Sequence, residues 1–316
     1  MFTRRHFNTL ALSATAGSLL RESAFAQSKL RIAFANYSDE AVFGAAVLRG
    51  LQSAAKKRSE MDVQFFDNRQ DPAKTIENAR TIVSSKPDIV LWYSTFSDVN
   101  KRAATLFDEA KLKVIAIQSP VPGAPLFTVD NPLSGAASGK ALADEFRKRF
   151  PDAAPEALVL GWPEQGALFI ERAAATVKSL REAYPNIKIE EFSTNGDPNR
   201  ARQLTADFLT RRPGAKAMIW AHVDAMGIAS LAASRNARRE GDVVIATTGG
   251  DQSAFPEIRR ASGAFIGSFS FFPEYWGDDL LELASGYSKG QRPADRVSPR
   301  KQLFITAANI NEFYPQ

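Results

Sequence analysis

The sequence predicts an α/β protein made of two doubly wound parallel sheets, and three observations carry that expectation. Short Val/Ile/Leu/Phe-rich runs alternate with longer stretches of helical spacing from Leu30 nearly to the end of the chain. Most of the runs are continuous rather than alternating, as parallel strands buried on both faces require. About ten such βα units are too many for one ordinary open sheet, so two sheets are the natural solution. With 316 residues, 44% of them hydrophobic, the chain has the apolar material for two lobes.

In chain order, the expected strands are Leu30–Ala35, Val63–Phe66, Ile89–Tyr93, Val114–Ile117, Leu126–Val129 and Leu158–Leu160. Ile187–Ile189, Met218–Trp220, Val243–Ala246, Ala264–Phe269 and Leu303–Ile305 complete the set. Between them, Phe43, Val47, Leu51 and Ala55 share one helical face, as do Ile76, Ala79 and Val83. Leu142 and Phe146 lie on one face of a helix expected over about residues 133–150. Asp71-Pro72 and Asp197-Pro198 read as an N-cap followed by proline in the first turn. A (β/α)₈ barrel is the competing architecture at this length. The loop Pro120-Val121-Pro122-Gly123 argues against it, because it leaves no room for a helix between two successive strands.

Composition excludes several functions. There is no cysteine, hence no disulfide, thiolate metal site, iron–sulfur cluster or cysteine nucleophile. The two histidines, His6 and His222, cannot form a multi-histidine metal site. The net charge of +5 is scattered, with no basic block that would suit nucleic acid. Residues 1–26 read as a twin-arginine export signal. Thr3-Arg4-Arg5-His6-Phe7 is followed by the apolar stretch Leu10–Leu20 and the small-x-small site Ala24-Phe25-Ala26. Cleavage after Ala26 would release a periplasmic or secreted protein, and the apolar stretch is too short and polar for a permanent span.

Enzyme signatures are missing. Gly135–Lys140, GAASGK, has three residues between its glycines where a phosphate loop needs four, and Ala141 stands where Ser or Thr would bind magnesium. It reads as the start of an ordinary helix. No G-x-G-x-x-G and no G-x-S-x-G occurs, so neither a dinucleotide fingerprint nor a nucleophile elbow is present. The carboxylate pairs Glu190-Glu191 and Asp278-Asp279 read as surface charge. The expectation is a protein without catalytic residues, cofactor or metal.

Several stretches in order resemble the type I periplasmic sugar-binding proteins, the ribose- and galactose-binding group of transporter subunits. They are Leu30–Ala35 with Phe43, then Phe66-Asp67-Asn68 with Asp71-Pro72, and Ile76 through Pro87-Asp88-Ile89-Val90-Leu91. Val114–Ile117 with Val129-Asp130-Asn131 and Ala221-His222-Val223-Asp224-Ala225-Met226-Gly227 follow. The resemblance implies two α/β lobes joined by a three-crossover hinge, with crossings near Asp130–Pro132, Phe271–Pro273 and Pro299–Gln302. The lobes would be residues 27–131 with 273–300, and 132–272 with 301–316. A ligand would sit between them, and a membrane permease of the ABC type would read the closed form.

Most polar sugar contacts of that family are not matched. Gln118-Ser119 stands where relatives have Asp followed by Arg or Ser, and the cleft arginine falls at about Ile170, with Arg172 two residues on. Val223 replaces the motif Asn beside the retained Asp224, and Thr247-Thr248-Gly249-Gly250 follows a strand after which an Asp is common. The candidate ligand contacts are therefore aromatic and largely neutral: Asn36, Tyr37, Phe43, Gln118, Trp162, His222, Asp224, Thr248, Asp251 and Phe271. Core packing is the competing role for these aromatics, and an equal one for Tyr275 and Trp276, which enter a helix. Trp92 and Trp220 lie inside expected strands and read as core. The leading expectation is a monomeric solute-binding protein that delivers a sugar or polyol to a permease. A periplasmic sensor engaging a membrane receptor or histidine kinase would use the same cleft. An exported oxidoreductase is disfavoured by the missing dinucleotide loop.

Overall fold

The computed structural model describes residues 28–315; the export signal expected over residues 1–26 lies outside them. The first half of the chain runs β1 (Leu30–Asn36), α1 (Val42–Lys56), β2 (Met61–Asp67), α2 (Pro72–Ser85), β3 (Ile89–Tyr93), α3 (Ser97–Glu109), β4 (Lys113–Ile117) and β5 (Leu126–Phe127). It continues through α4 (Asn131–Arg149), β6 (Glu156–Gly161), α5 (Ala167–Ala183), β7 (Lys188–Ser193), α6 (Pro198–Arg211), β8 (Ala217–Ala221) and α7 (Asp224–Asn236). The remainder is β9 (Val243–Gly249), α8 (Phe255–Ile258), β10 (Phe265–Ser270), α9 (Trp276–Ser288), β11 (Arg296–Val297), β12 (Leu303–Ile305) and α10 (Ile310–Phe313).

These strands form two six-stranded sheets, ordered β11-β5-β4-β3-β1-β2 and β12-β10-β9-β8-β6-β7. All pairings are parallel except β10 with β12. The chain passes between the sheets three times, between β5 and α4, between β10 and α9, and between β11 and β12. The two-lobed α/β architecture with three crossovers is thus the one the sequence predicts.

Continuous apolar strands serve two cores at once. In β1, Ile32 and Phe34 join one cluster and Ala33 and Ala35 another on the opposite face. In β6 and β8, Leu158, Leu160, Ile219 and Ala221 face one side while Ala157, Val159, Met218 and Trp220 face the other. Each of the larger side chains, such as Phe34, Leu158 and Ile219, contributes about 1.5–3 kcal/mol on burial. Both expected caps form: the Asp71 carboxylate accepts from the Lys74 amide at 2.6 Å, and that of Asp197 from the Asn199 amide at 2.8 Å. The strand expected at Ile187–Ile189 begins one residue later and runs on to Ser193. Its burial is only partial, as befits the edge of a sheet. Strand β11 was not expected, being two residues long and starting with an exposed Arg.

The GAASGK stretch lies inside α4, and its glycines have a packing role. A Cβ on Gly135 would collide with the Arg172 carbonyl oxygen, and one on Gly139 would sit 2.9 Å from that of Thr176. The two bare positions let α5 settle directly on α4, where Thr176 Oγ1 donates to the Gly135 carbonyl at 3.1 Å. That contact fixes the height of α5 and therefore of Arg172.

Candidate functional site

Parallel sheets of this kind present their carboxyl ends to ligands, and the two sheets turn those ends toward the crossovers. From the first sheet come Asn36 at the end of β1, Tyr93 at the end of β3 and Gln118 just past β4. From the second come Trp162 after β6, His222 after β8, Thr248 within β9 and Phe271 after β10.

Arg172 is the centre of the second wall. It is 3% exposed, and its Nε donates to Asn131 Oδ1 at 2.9 Å. Its Nη1 lies 3.1 Å from His222 Nε2 and donates to Thr248 Oγ1 at 3.0 Å and to the His222 carbonyl at 3.4 Å. Phe169 and Phe271 lie over the guanidinium at 5.3 and 4.8 Å to their ring centroids. Burial lowers the Arg172 pKa to about 9. An arginine cannot accept a hydrogen bond, so His222 Nε2 is the acceptor and the proton of the neutral ring sits on Nδ1. Burial and the adjacent guanidinium hold His222 neutral, well below its ordinary pKa, and Nδ1 has no partner. The Phe169 ring stacks on the imidazole at 4.5 Å and 9°.

Beside this group sits an acid pair. Asp224, the first residue of α7, is fully buried and accepts from the Thr247 hydroxyl and, at 2.8 Å, from the Asp251 amide. Burial pushes its pKa up, and these donors, with Ser268 and the Gly250 amide, oppose the shift. Asp251 has no such donors to its carboxyl, and burial together with the charge of Asp224 raises it to about 7. Gly249 and Gly250, at φ +133° and +80°, turn the chain so that the Asp251 amide reaches Asp224.

The first wall carries less charge. Asn36 Nδ2 donates to the carbonyls of Ser38 and Gly44 and to Asp39 Oδ1, which leaves its Oδ1 without a partner. Gln118, at φ +61°, accepts from Thr128 Oγ1 at 3.2 Å and leaves Nε2 unpartnered. Tyr37 packs on Tyr93 at 4.6 Å. Its phenol is pushed up to about 12, chiefly by burial and secondarily by the charge of Asp251 from the other wall, against the Gly44 amide that donates to it.

The expected aromatics fall into two groups. Phe43 meets Phe271 edge-to-face at 6.3 Å and Trp276 at 5.2 Å. Trp162 packs instead on Phe169 at 5.9 Å and closely over Gly196, where a Cβ would strike the indole. What joins the groups is Arg172, held between Phe169 and Phe271. Trp276 is fully buried in the first lobe's core behind Phe43, and Tyr275 is 44% exposed.

Sequence reasoning noted Arg172 beside the expected arginine position without choosing it, and did not choose Asn131, Tyr93 or Phe169 as contacts. The resemblance placed the cleft arginine at about Ile170, which is 52% exposed. A 3₁₀ turn over Pro163–Gln165 and Gly166 at φ +99° lead into α5, on which Arg172 is buried. Among the described residues no helix is long and apolar enough to cross a membrane, and no group of three or more His, Asp or Glu could hold a metal ion.

Two lobes around a polar cleft define a ligand-binding protein of the hinged type. The model of the periplasmic binding protein domain matches residues 32–292, and the chain belongs to that family. Solved structures share the fold at low identity. A periplasmic solute-binding protein of an ABC transporter from Actinobacillus succinogenes, with bound D-allose, is 19% identical with a TM-score of 0.77, over 90% of this chain and 100% of its own. A Caulobacter myo-inositol-binding protein is 23% identical with a TM-score of 0.73, over 90% and 95%. A Mycobacterium smegmatis protein in complex with β-D-fucofuranose is 18% identical with a TM-score of 0.75, over 91% and 94%. No curated protein matches the sequence significantly.

Proposed function

We propose that this chain is the solute-binding subunit of an ABC transporter, capturing a small polyhydroxylated molecule between its lobes in the periplasm and presenting it to a permease. The observation that carries the reading is the set of enclosed polar atoms left without partners at the strand ends: Asn36 Oδ1, Gln118 Nε2 and His222 Nδ1. Buried polar groups are otherwise almost always paired, so these are places where a ligand completes the bonding. The sugar and polyol named for similar structures support the same class. Residues 27–131 with 273–300 and 132–272 with 301–316 would move as two rigid bodies about the three crossings. Export would follow the twin-arginine route, with cleavage after Ala26. The role is capture and release of a monomeric carrier, with no chemical step.

A thermal-shift screen of sugars, polyols and their derivatives tests the reading. A ligand at a hundredfold its Kd adds about 2.7 kcal/mol to the native state, which a melting curve resolves readily. A folded protein whose melting temperature responds to no member of such a panel would reject it.

A further inference from the structure

We propose that the ligand of this cleft is an anion, a small polyhydroxylated monocarboxylate such as a sugar acid, whose carboxylate meets the free edge of Arg172. The proposal rests on the solute-binding reading above and narrows it.

Most partly buried arginines elsewhere among the described residues are matched by acids, Arg259, which meets Asn311 and the Tyr314 carbonyl, being an exception. Arg212 pairs with Glu156 and Glu190, Arg235 with Glu240 and Glu257, Arg239 with Asp242, and Arg149 with Glu145. Arg172 is buried more completely than any of these, yet every acceptor it meets is neutral: an amide oxygen, an imidazole nitrogen, a hydroxyl and a carbonyl. An isolated buried charge is costly, and a carboxylate arriving from the ligand offsets that cost where a hydroxyl does not.

The donor arrangement says where the carboxylate binds. Nε is occupied by Asn131 and Nη1 by His222 and Thr248, while neither proton of Nη2 has a partner among the described residues. Phe169 and Phe271 pack on the guanidinium at 5.3 and 4.8 Å, which leaves Nη2 as the group for an incoming oxygen. His222 adds a second donor, because its unpartnered Nδ1 carries the ring proton. Gln118 Nε2 adds a third. A site with donors in surplus and one guanidinium fits a single carboxylate.

The acids of the cleft fit the same ligand. Asp224 is occupied by its own donors. Asp251 faces the charge of Asp224 and the phenol of Tyr37, and takes up a proton near neutrality. A negative ligand in the cleft strengthens that uptake.

Calorimetry on the mature protein with matched pairs tests the assignment: galactose against galacturonate, glucose against gluconate, ribose against ribonate, with the corresponding sugar phosphates as a third arm. The expected result is that at least one acid binds about tenfold or more tightly than its neutral partner, since hydrogen bonds to a charged group are about twice as strong. That acid should also bind more weakly as the pH is raised through about 7, while the neutral sugar changes little. Arg172→Gln should abolish the acid preference; should this variant not fold, the wild-type pairs still decide. A neutral sugar that binds as well as or better than its acid overturns the proposal and leaves the solute-binding reading intact. A sugar phosphate that outcompetes both also overturns it. Failure of every neutral and acidic member to bind rejects the solute-binding reading itself, and the proposal with it.

Discussion

The cleft wall from the first sheet presents Asn36, Tyr37, Phe43, Tyr93 and Gln118, and none of these side chains is charged at neutral pH. The facing wall presents Arg172, His222, Asp224, Thr248 and Asp251, tied to one another by hydrogen bonds in two groups. Both walls are built from the carboxyl ends of parallel strands, so the fold does not explain the contrast. The second wall is pre-organised: Arg172 is fixed by three side chains and two aromatic rings before any ligand arrives. The first wall offers ring faces and two amides with an atom to spare. Selectivity should therefore reside in the second lobe, and the first should add area and exclude water on closure.

The largest test of this asymmetry is Arg172→Gln. Removing a charged donor from an enclosed site should weaken ligand binding by about 2–4 kcal/mol, on the scale of hydrogen bonds to charged groups and desolvated charge pairs. Stability of the free protein should fall much less, because the substitution also removes an unpaired buried charge. Titration calorimetry and a melting curve on the same sample check both. A variant that binds normally would show that the second wall is scaffold only.

Next in size is Gly135→Ala, which touches no ligand. The added methyl meets the Arg172 carbonyl and Ala175 Cβ across the α4–α5 contact. Overpacking of this kind costs about 1–3 kcal/mol of stability, and it should lift Arg172 out of register with His222 and Thr248. Loss of affinity beyond what the melting temperature accounts for is the expected outcome. Equal losses would mean that α5 moves without disturbing the guanidinium.

These two residues also show what a sequence can and cannot disclose. The strands were legible because parallel strands buried on both faces leave unbroken apolar runs, as in Ile89–Tyr93 and Met218–Trp220. The caps at Asp71 and Asp197 were legible because Asp-Pro at a helix start has few other uses. His222, Thr248 and Asp251 were legible as polar residues at or just beyond strand ends. Arg172 was not, since an arginine in a helix of mixed polarity such as α5 has the pattern of a surface residue. Its burial goes with the packing of α5 on α4 at Gly135, which is a tertiary fact. Strand β11 escaped for a simpler reason: two residues carry no periodicity.

Gln118→Ala probes the other wall. Its Nε2 has no partner to lose among the described residues, and the bond its Oε1 accepts from Thr128 is the one given up, so folding stability should fall by about 0.5–1.5 kcal/mol. Affinity should fall by about 1–1.5 kcal/mol, the value of one neutral hydrogen bond. A loss as large as that of Arg172→Gln would erase the difference between the walls.

The smallest effect isolates Asp251. Its pKa is raised from 3.8 to about 7 by burial and by Asp224, so the folded protein holds a proton there that the unfolded chain releases. Between those two values the native state binds more protons than the unfolded state, and stability therefore decreases as pH rises through this window. Above about pH 7 both states have lost the proton and the contribution levels off. Across about pH 6 to 8 the wild type should lose on the order of 1 kcal/mol from this group. Asp251→Asn has no such proton to release and no charge to set against Asp224, so its stability should be flat over the same range and exceed that of the wild type at the alkaline end. Denaturant midpoints of the two proteins at several pH values give the comparison directly. Parallel curves would mean that Asp251 ionises freely in the folded protein, and the acid pair would then belong to the solvent rather than to the cleft.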